Sequence, residues 1–570
     1  MSLFKQVLAL ILRHKILASL LLILVAAFFI RFIGISYGLP QEFIGDEYLQ
    51  VAVSLKMLDT KSFIPNFPDI FYHQPLSAYI STFGIGVFLL WQLITGRFSG
   101  IVAMRDFYII HSTDLLVVVR FLSVISGVLT VWLLYFIGRD LFNKRVGLIA
   151  AFFGAFDFLL VFTQHTGRVW GYMPFFIALA LWASVKLFKQ DRFKNYLLSA
   201  GASLLAIANL LPGIITFVPS FVARFFWKNK KLWTSIVLIA LGTVIILLMS
   251  PRGLGALFYR FKILSDSGLA QKIIGKSIEA EGGPISFVHR FFDTFITLFN
   301  YAPVYFLLFL VGVFLLWRAD RKKCLFLVSF PVIYYLFIGP FFGFGWVART
   351  LVPFSIYFTV ISAYAVNRFN EAFFKNSREF LMLFVVIAAA PSILFSVIFD
   401  AKITRLDTRT QAISWIYNNL PENSKILEFS QTNEVINQNR EVLELIQKTV
   451  PDKLNTRQKF LLASDDAVYP RPKYFAWDMR SVDPRAAYPD LFKDNKFEYF
   501  IKTSWGTNSG DLIENTFADK LLIVRFSPFD DEYYDKGDFG NVHNMTYPLQ
   551  ALFKSKRFGP IVEIYKIKFR

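Results

Sequence analysis

One cysteine in 570 residues, Cys324, itself inside an apolar run, excludes an intrachain disulfide and a thiolate metal cluster. Acid is also scarce, with 41 Asp and Glu against 60 Lys and Arg for a formal charge of +19. Charged residues of both signs make up only 18% of the chain, whereas hydrophobic residues reach 55%, aromatics 18% and mean hydropathy +0.49. A soluble protein has no place for that much apolar surface, so the composition is that of a polytopic α-helical membrane protein. No repeat of fixed period and no low-complexity segment interrupts it.

The first apolar run, Ile16–Ser36, follows Lys5, Arg13 and Lys15 and lacks a small-residue cleavage site, which reads as an uncleaved helix entering from the cytoplasm. Apolar segments follow near Val119–Ile137, Val146–Phe162, Met173–Leu187, Leu197–Leu211, Gly213–Phe226, Leu232–Met249, Tyr301–Trp317, Leu325–Phe341, Pro353–Val366 and Phe380–Phe399, giving about eleven spans. Leu76–Thr95 is apolar enough to cross, yet it carries Ser77, Ser81, Thr82, Gly84, Gly86 and Gln92. Charge decides its placement. If it lies along the outer surface, the inner connections hold Arg139-Lys144-Arg145, Lys186-Lys189-Arg192-Lys194, Lys228-Lys230-Lys231, Arg318-Arg321-Lys322-Lys323 and Arg368-Lys375-Arg378. With the N-terminus these make about twenty cations against about five acids, as the positive-inside rule requires. The basic excess is thus a topology signal, and no nucleic-acid partner is needed to explain it.

That topology divides the chain into a membrane domain, 1–399, and a soluble extracytoplasmic domain, 400–570. The membrane domain carries a first outer loop at 37–118 and a second at 251–300. The expected setting is a prokaryotic plasma membrane with the N-terminus cytoplasmic. In the tail, Thr410–Leu420 has amphipathic helical spacing through Ile413, Ile416 and Leu420, and Pro421 ends it. Lys425–Phe429, Tyr499–Thr503, Leu521–Phe526 and Ile561–Ile567 read as short strands, so the tail is expected to be a small α/β domain.

Chemistry-bearing residues gather at the outer ends of the spans. Asp46 and Glu47 stand immediately after the first span. Asp46 also suits the cap of a helix Glu47–Leu58 with Tyr48, Ala52, Leu55 and Leu58 as its apolar stripe, and Glu47 suits the first-turn dipole; a cap residue at a membrane surface can still face a cleft. His73, in Phe71-Tyr72-His73-Gln74-Pro75, is a proton carrier or a structural hydrogen bonder beside a proline turn. Arg168 and Arg349 break the chain's own charge rule by standing at outer turns. A guanidinium fork there fits a phosphate, although arginines at span ends also snorkel to headgroups. Arg120, Arg260 and Arg290 are weaker candidates of the same kind.

These pieces together resemble the GT-C superfamily of membrane glycosyltransferases, in the branch of protein O-mannosyltransferases and the lipid A aminoarabinose transferase. The resemblance rests on the acid pair Asp46-Glu47 and on His73-Gln74-Pro75-Leu76, which is similar to a His-Pro-Pro-Leu turn. It continues through the block from Arg120-Phe121-Leu122-Ser123 by Gly138-Arg139-Asp140-Leu141-Phe142 to Arg168 and Tyr172. Arg349-Thr350-Leu351-Val352-Pro353 and the tail opening Asp407-Thr408-Arg409 with Trp415-Ile416 and Pro421 complete it. Gln74 departs from the family's proline or lysine, and Thr350 from its tyrosine.

The resemblance implies a GT-C fold with juxtamembrane helices in the first outer loop, an extracytoplasmic active site, a polyprenyl-phosphate sugar donor and Asp46 as catalytic base. It places Glu47 and His73 beside that base and Arg168, Tyr172, Arg349 and Arg290 toward the donor phosphate. The acceptor class is open among glycan, lipid and protein. No cofactor is required on this reading, though Glu47 beside Asp46 leaves room for a divalent cation. A lipid or lipid-linked sugar flippase is the alternative, in which outer arginines hold an anionic headgroup without chemistry; no inverted repeat favours it. A membrane-anchored binding protein that recognises its partner through the tail is the third reading.

Overall fold

The computed structural model describes residues 15–67, 70, 73–226, 232–249, 292, 295–342, 348–429, 436–478, 494–505, 517–530 and 549–569. Arg260, Arg290 and most of the loop 251–300 lie outside them. The chain divides into two compact units, one formed by Met1–Ile35, Leu49–Phe88 and Leu116–Phe399, the other by Ser36–Tyr48, Leu89–Leu115 and Asp400–Arg570.

The first unit is helical. Its elements are α1 (Lys15–Phe32), α2 (Glu47–Thr60), α3 (Pro75–Ile94), then, after α4 (Ile101–Ile110), α5 (Thr113–Leu141), α6 (Lys144–Phe156), α7 (Phe158–Gln164), α8 (Val169–Lys189) and α9 (Phe193–Asn209). A 3₁₀ turn, Leu211–Thr216, leads into α10 (Phe217–Phe225) and α11 (Leu232–Met249), and α12 (Pro303–Ala319), α13 (Arg321–Phe342), α14 (Ala348–Phe373) and α15 (Arg378–Ile403) follow. Among the described residues, α1, α3, α5, α8, α14 and the run opening with α15 can each cross a membrane by length and composition, and the bent pairs α6–α7 and Phe295–Tyr301 with α12 bring the number up to eight if each pair is one span. This is an integral membrane protein. The about eleven spans expected include apolar segments that are shorter helices here, such as Leu211–Phe225 and Ile236–Met249.

Helix α14 is the core of the bundle. Its whole apolar window is buried, the small polar Ser355, Thr359 and Ser362 included, and it packs against α6, α7, α8, α12 and α13. Close approach between helices depends on missing side chains. A Cβ at Gly312 would sit 2.7 Å from the Ile361 carbonyl, and one at Gly147 would sit 2.5 Å from the Tyr135 carbonyl at the tight α5–α6 hairpin.

Two expectations are corrected. The apolar stripe of α2 is not Tyr48, Ala52, Leu55 and Leu58: Tyr48 is 46% and Leu58 42% exposed, while Leu49, Val53 and Met57 are buried against Ala78. Both stripes have helical three- or four-residue steps and lie one position apart, and it is the second that meets Ala78 of α3. The span Val146–Phe162 is not continuous either, since it breaks at Asp157 with a bend of 53° between α6 and α7.

The second unit contains a five-stranded sheet in the order β2-β1-β3-β5-β4, from β1 (Lys425–Phe429), β2 (Phe475–Asp478), β3 (Tyr499–Ser504), β4 (Phe517–Phe526) and β5 (Ile561–Phe569). β1 pairs in parallel with β2 and β3, and β5 runs antiparallel to both β3 and β4. Neighbouring residues alternate between faces. Leu427, Phe500 and Tyr565 join one core with Val442, Leu443 and Ile446 of α17 (Arg440–Thr449). Ile426, Ile501 and Ile564 join the other with Ala412, Ile416 and Leu420, from α16 (Thr408–Asn419) and its C-cap. The result is a helix–sheet–helix sandwich, the two-faced burial that parallel strands require. Ile110 of α4 packs on the α17 face, so a piece of the 37–118 segment shares the core of the tail.

Candidate active site

The segment Ser36–Tyr48 belongs to the same compact unit as the tail, and a buried ion pair explains its anchorage. Asp407 and Arg409 are both buried. The Arg409 guanidinium donates from Nε to Asp407 Oδ1 at 2.8 Å and from Nη2 to Oδ2 at 3.0 Å, and the Arg409 amide adds a third bond at 2.9 Å. Tyr37 donates its hydroxyl to Asp407 Oδ2 at 2.5 Å. Above the fork, Cζ of Arg409 stands 3.8 Å from the centroid of the Phe43 ring and 5.6 Å from that of Trp505. Tyr37 and Phe43 therefore both tether the segment leading to Asp46, one by a charge-assisted hydrogen bond and the other by a stacked cation–π contact.

This anchorage fixes an unusual backbone. Glu42 has φ +57° and Asp46 φ +66°, left-handed values that cost a non-glycine residue roughly 1–3 kcal/mol each and gather at functional sites. A side-chain helix cap ordinarily has extended backbone, so the left-handed Asp46 is not the ordinary cap geometry. Burial separates the two acids: Glu47 is 1% exposed at the start of α2, whereas Asp46 is only half-buried. Burial pushes the Tyr48 phenol up, and the charges of Asp46 and Glu42 raise it further, which puts both carboxylates in its neighbourhood.

Glu42 was not singled out by sequence. It accepts a hydrogen bond from Ser112, and its charge, with Tyr417, partly offsets the burial that pulls the Arg457 guanidinium below its usual value. The signal for it lay in three acids within six residues, 42 to 47. Among the described residues no three His, Cys, Asp or Glu side chains converge on a metal position.

In the helical unit the predicted arginines occupy helix starts. Arg168 is buried at the N-cap of α8, with φ −88° and ψ 161°, and Arg349 is half-buried in the first turn of α14. Tyr172, one turn into α8, is buried and donates its hydroxyl to the Val119 carbonyl at 3.1 Å. Tyr172 thus fastens α8 to α5 beside Arg120, whose Nη1 donates to the Ile35 carbonyl at 2.8 Å. Gly167 completes the contact, for a Cβ there would lie 3.0 Å from Val119 Cβ and 3.3 Å from the Arg120 amide. Leu76, three residues after the half-buried His73, packs against Tyr172 and Phe176.

What sequence reasoning missed is how the Arg168 turn is held. The break at Asp157 leaves the last carbonyls of α6 without helical partners. Arg31, fully buried at the end of α1, supplies them: Nη1 donates to Ala155 O at 2.7 Å and Nη2 to Gly154 O at 3.0 Å. Its Nε donates to Gln164 Oε1 at 2.6 Å, at the far end of α7. Asp157 caps α7 by accepting from the Leu160 amide at 3.0 Å. Gly127 leaves the room, since a Cβ there would sit 2.6 Å from Arg31 Cδ. A lone arginine near a span end gives no sequence sign of this role.

Residues 85–254 match the family described as dolichyl-phosphate-mannose-protein mannosyltransferase. No curated protein matches the chain. Among solved structures it is similar to an oligosaccharyltransferase of Archaeoglobus fulgidus in complex with Zn and sulfate, at 13% identity over 88% of this chain and 71% of that one, TM-score 0.49. It is also similar to ArnT from Cupriavidus metallidurans bound to undecaprenyl phosphate, at 13% identity over 85% and 92%, TM-score 0.44. The arabinofuranosyltransferase AftD from Mycobacteria is similar at 11% identity over 97% of this chain and 41% of its own, TM-score 0.39.

Proposed function

We propose, from the premise that this chain resembles the GT-C membrane glycosyltransferases, that it moves a sugar from a polyprenyl-phosphate donor to an acceptor hydroxyl on the extracytoplasmic side. Asp46 is the general base. As the acceptor oxygen attacks the anomeric carbon its proton passes to the Asp46 carboxylate. The bond from that carbon to the phosphate oxygen breaks with inversion, and polyprenyl phosphate leaves with the electron pair. The observation that carries this reading is the contrast within the acid pair: Asp46 is half-buried on a left-handed backbone, three residues after Phe43, whose ring lies against the buried Arg409, and Glu47 is buried. The family match over residues 85–254 supports the donor class.

A base of this kind contributes about 10²–10⁴ in rate. Arg168 and Arg349 stabilise the charge growing on the leaving phosphate, each worth about 3 kcal/mol by analogy with oxyanion donors. Tyr172 acts at one remove by holding α8, and His73 orients substrate from the turn before α3. The membrane domain is taken as 1–399 and the extracytoplasmic domain as 400–570, with the catalytic loop leaning on the latter. Purified protein incubated with a panel of labelled polyprenyl-phosphate sugars and membrane extract should label one acceptor fraction, and the Asp46→Asn enzyme should not. Accumulation of the lipid-linked sugar in vesicles without product would instead favour a flippase.

A further inference from the structure

The C-terminal end of α8 carries a second feature, about 30 Å along the helix from Arg168. A cavity of about 510 Å³ opens where α8 turns into α9, lined by Trp182, Lys186, Lys189, Lys194, Asn195 and Leu198. Its volume falls within the roughly 300–1,000 Å³ of small-molecule sites. Helix C-termini ordinarily repel anions, because their last carbonyls point outward. Here the buried Asn195 covers them, its amide donating to the carbonyls of Lys186 at 3.1 Å and of Gln190 at 2.8 Å.

The lining is cationic on one side and apolar on the other. Lys186 is held in place by Asp140 at 2.6 Å and stands 5.3 Å over the Trp182 ring. Asp140 is itself shared with Arg139 at 2.8 Å, so it does not cancel the local charge. Asp191 accepts from the Tyr196 hydroxyl at 2.7 Å and does not line the cavity. Lys189 and Lys194 are exposed at its edge, while half-buried Trp182 and exposed Leu198 supply the apolar wall. Basic hollows between membrane helices, flanked by an interfacial aromatic, are suited to an anionic headgroup with its acyl chain alongside.

We propose that this cavity binds the phosphate of an anionic phospholipid, with Lys189 and Lys194 toward the phosphate and Trp182 and Leu198 against the chain. The site does not depend on the sugar-transfer reading, because none of its residues belongs to the acid loop or the outer arginines. Each lysine facing an anionic headgroup contributes about fivefold in preference, so removing two lowers it about 30-fold.

The test uses the full chain, purified and reconstituted in phosphatidylcholine containing phosphatidylglycerol, with bound lipid counted by native mass spectrometry. The wild type should retain phosphatidylglycerol selectively. Lys189→Gln/Lys194→Gln should lose that preference, and Arg321→Gln/Lys322→Gln, exposed cations outside the cavity, should keep it. Inorganic phosphate, compared with chloride at the same ionic strength, distinguishes the sources: equal and weak displacement supports a lipid held also by Trp182 and Leu198, and complete displacement by phosphate at a concentration where chloride has no effect overturns the lipid assignment. Equal loss in both double variants would overturn the proposal, since the preference would then belong to a diffuse basic face, and so would unchanged retention in the cavity variant.

Discussion

Replacing Arg409 by methionine tests the anchorage of the acid loop independently of any activity. The substitution keeps the length and apolar bulk of the side chain and removes two carboxylate bonds, at 2.8 and 3.0 Å, together with the guanidinium 3.8 Å from the Phe43 ring. Asp407 then remains buried with the Arg409 amide and the Tyr37 hydroxyl. Breaking a buried pair by removing one partner costs about 3–5 kcal/mol. At about 1.4 kcal/mol per factor of ten, that raises local opening by about 10²–10⁴. The reporters are the amides of Leu39 and Phe43, which donate to the Ser36 and Gly38 carbonyls at 3.1 and 3.4 Å. Their hydrogen-exchange rates, measured in detergent by mass spectrometry, should rise by that factor or to the unprotected limit. The double variant Asp407→Leu/Arg409→Met should regain part of the melting midpoint, because no buried charge is left uncompensated, while loop exchange stays fast, because Tyr37 and Phe43 have both lost their anchors. Wild-type exchange at both amides in Arg409→Met would refute the anchorage.

Asp46→Asn should lower transfer by about 10² or more while leaving loop exchange unchanged, and Glu47→Gln, at a buried position, should act mainly on thermal stability; activity retained in Asp46→Asn moves the base elsewhere. Arg349→Ala should weaken use of the lipid donor in steady-state kinetics, and unaltered donor dependence would take Arg349 out of the site. Gly147→Ala forces a methyl to within 2.5 Å of the Tyr135 carbonyl and should cost about 1–3 kcal/mol by overpacking, seen as a lower melting midpoint in detergent.

Much of this was legible in sequence for a simple reason. Long apolar runs and β-branched strands report their period wherever one partner surface is enough, so β1 was found at Lys425–Phe429 and β3 and β5 to within two residues. β2 escaped because it has only four residues, and α4 because its ten lie between two apolar segments. The break at Asp157 was hidden because a single acid in an apolar run looks like a tolerated exception until Arg31, more than a hundred residues earlier, is seen to meet the freed carbonyls. The stripe on α2 failed because sequence spacing gives the periodicity of a face but not its partner. Asp46, Arg168 and Arg349 were visible as charges out of place; the tethers of the Asp46 loop and of the turn before Arg168 were not, because Asp407, Arg409 and Arg31 lie more than a hundred residues away.

The sharing of one compact unit by the acid loop and the tail bears on how such proteins are recombined. A chimera that exchanged residues 400–570 for those of a relative, leaving 36–48 behind, would part Tyr37 and Phe43 from Asp407 and Arg409. Loss of turnover in that hybrid would then report a broken scaffold and say nothing of acceptor choice. An informative exchange has to transplant Ser36–Tyr48 and Leu89–Leu115 along with the tail.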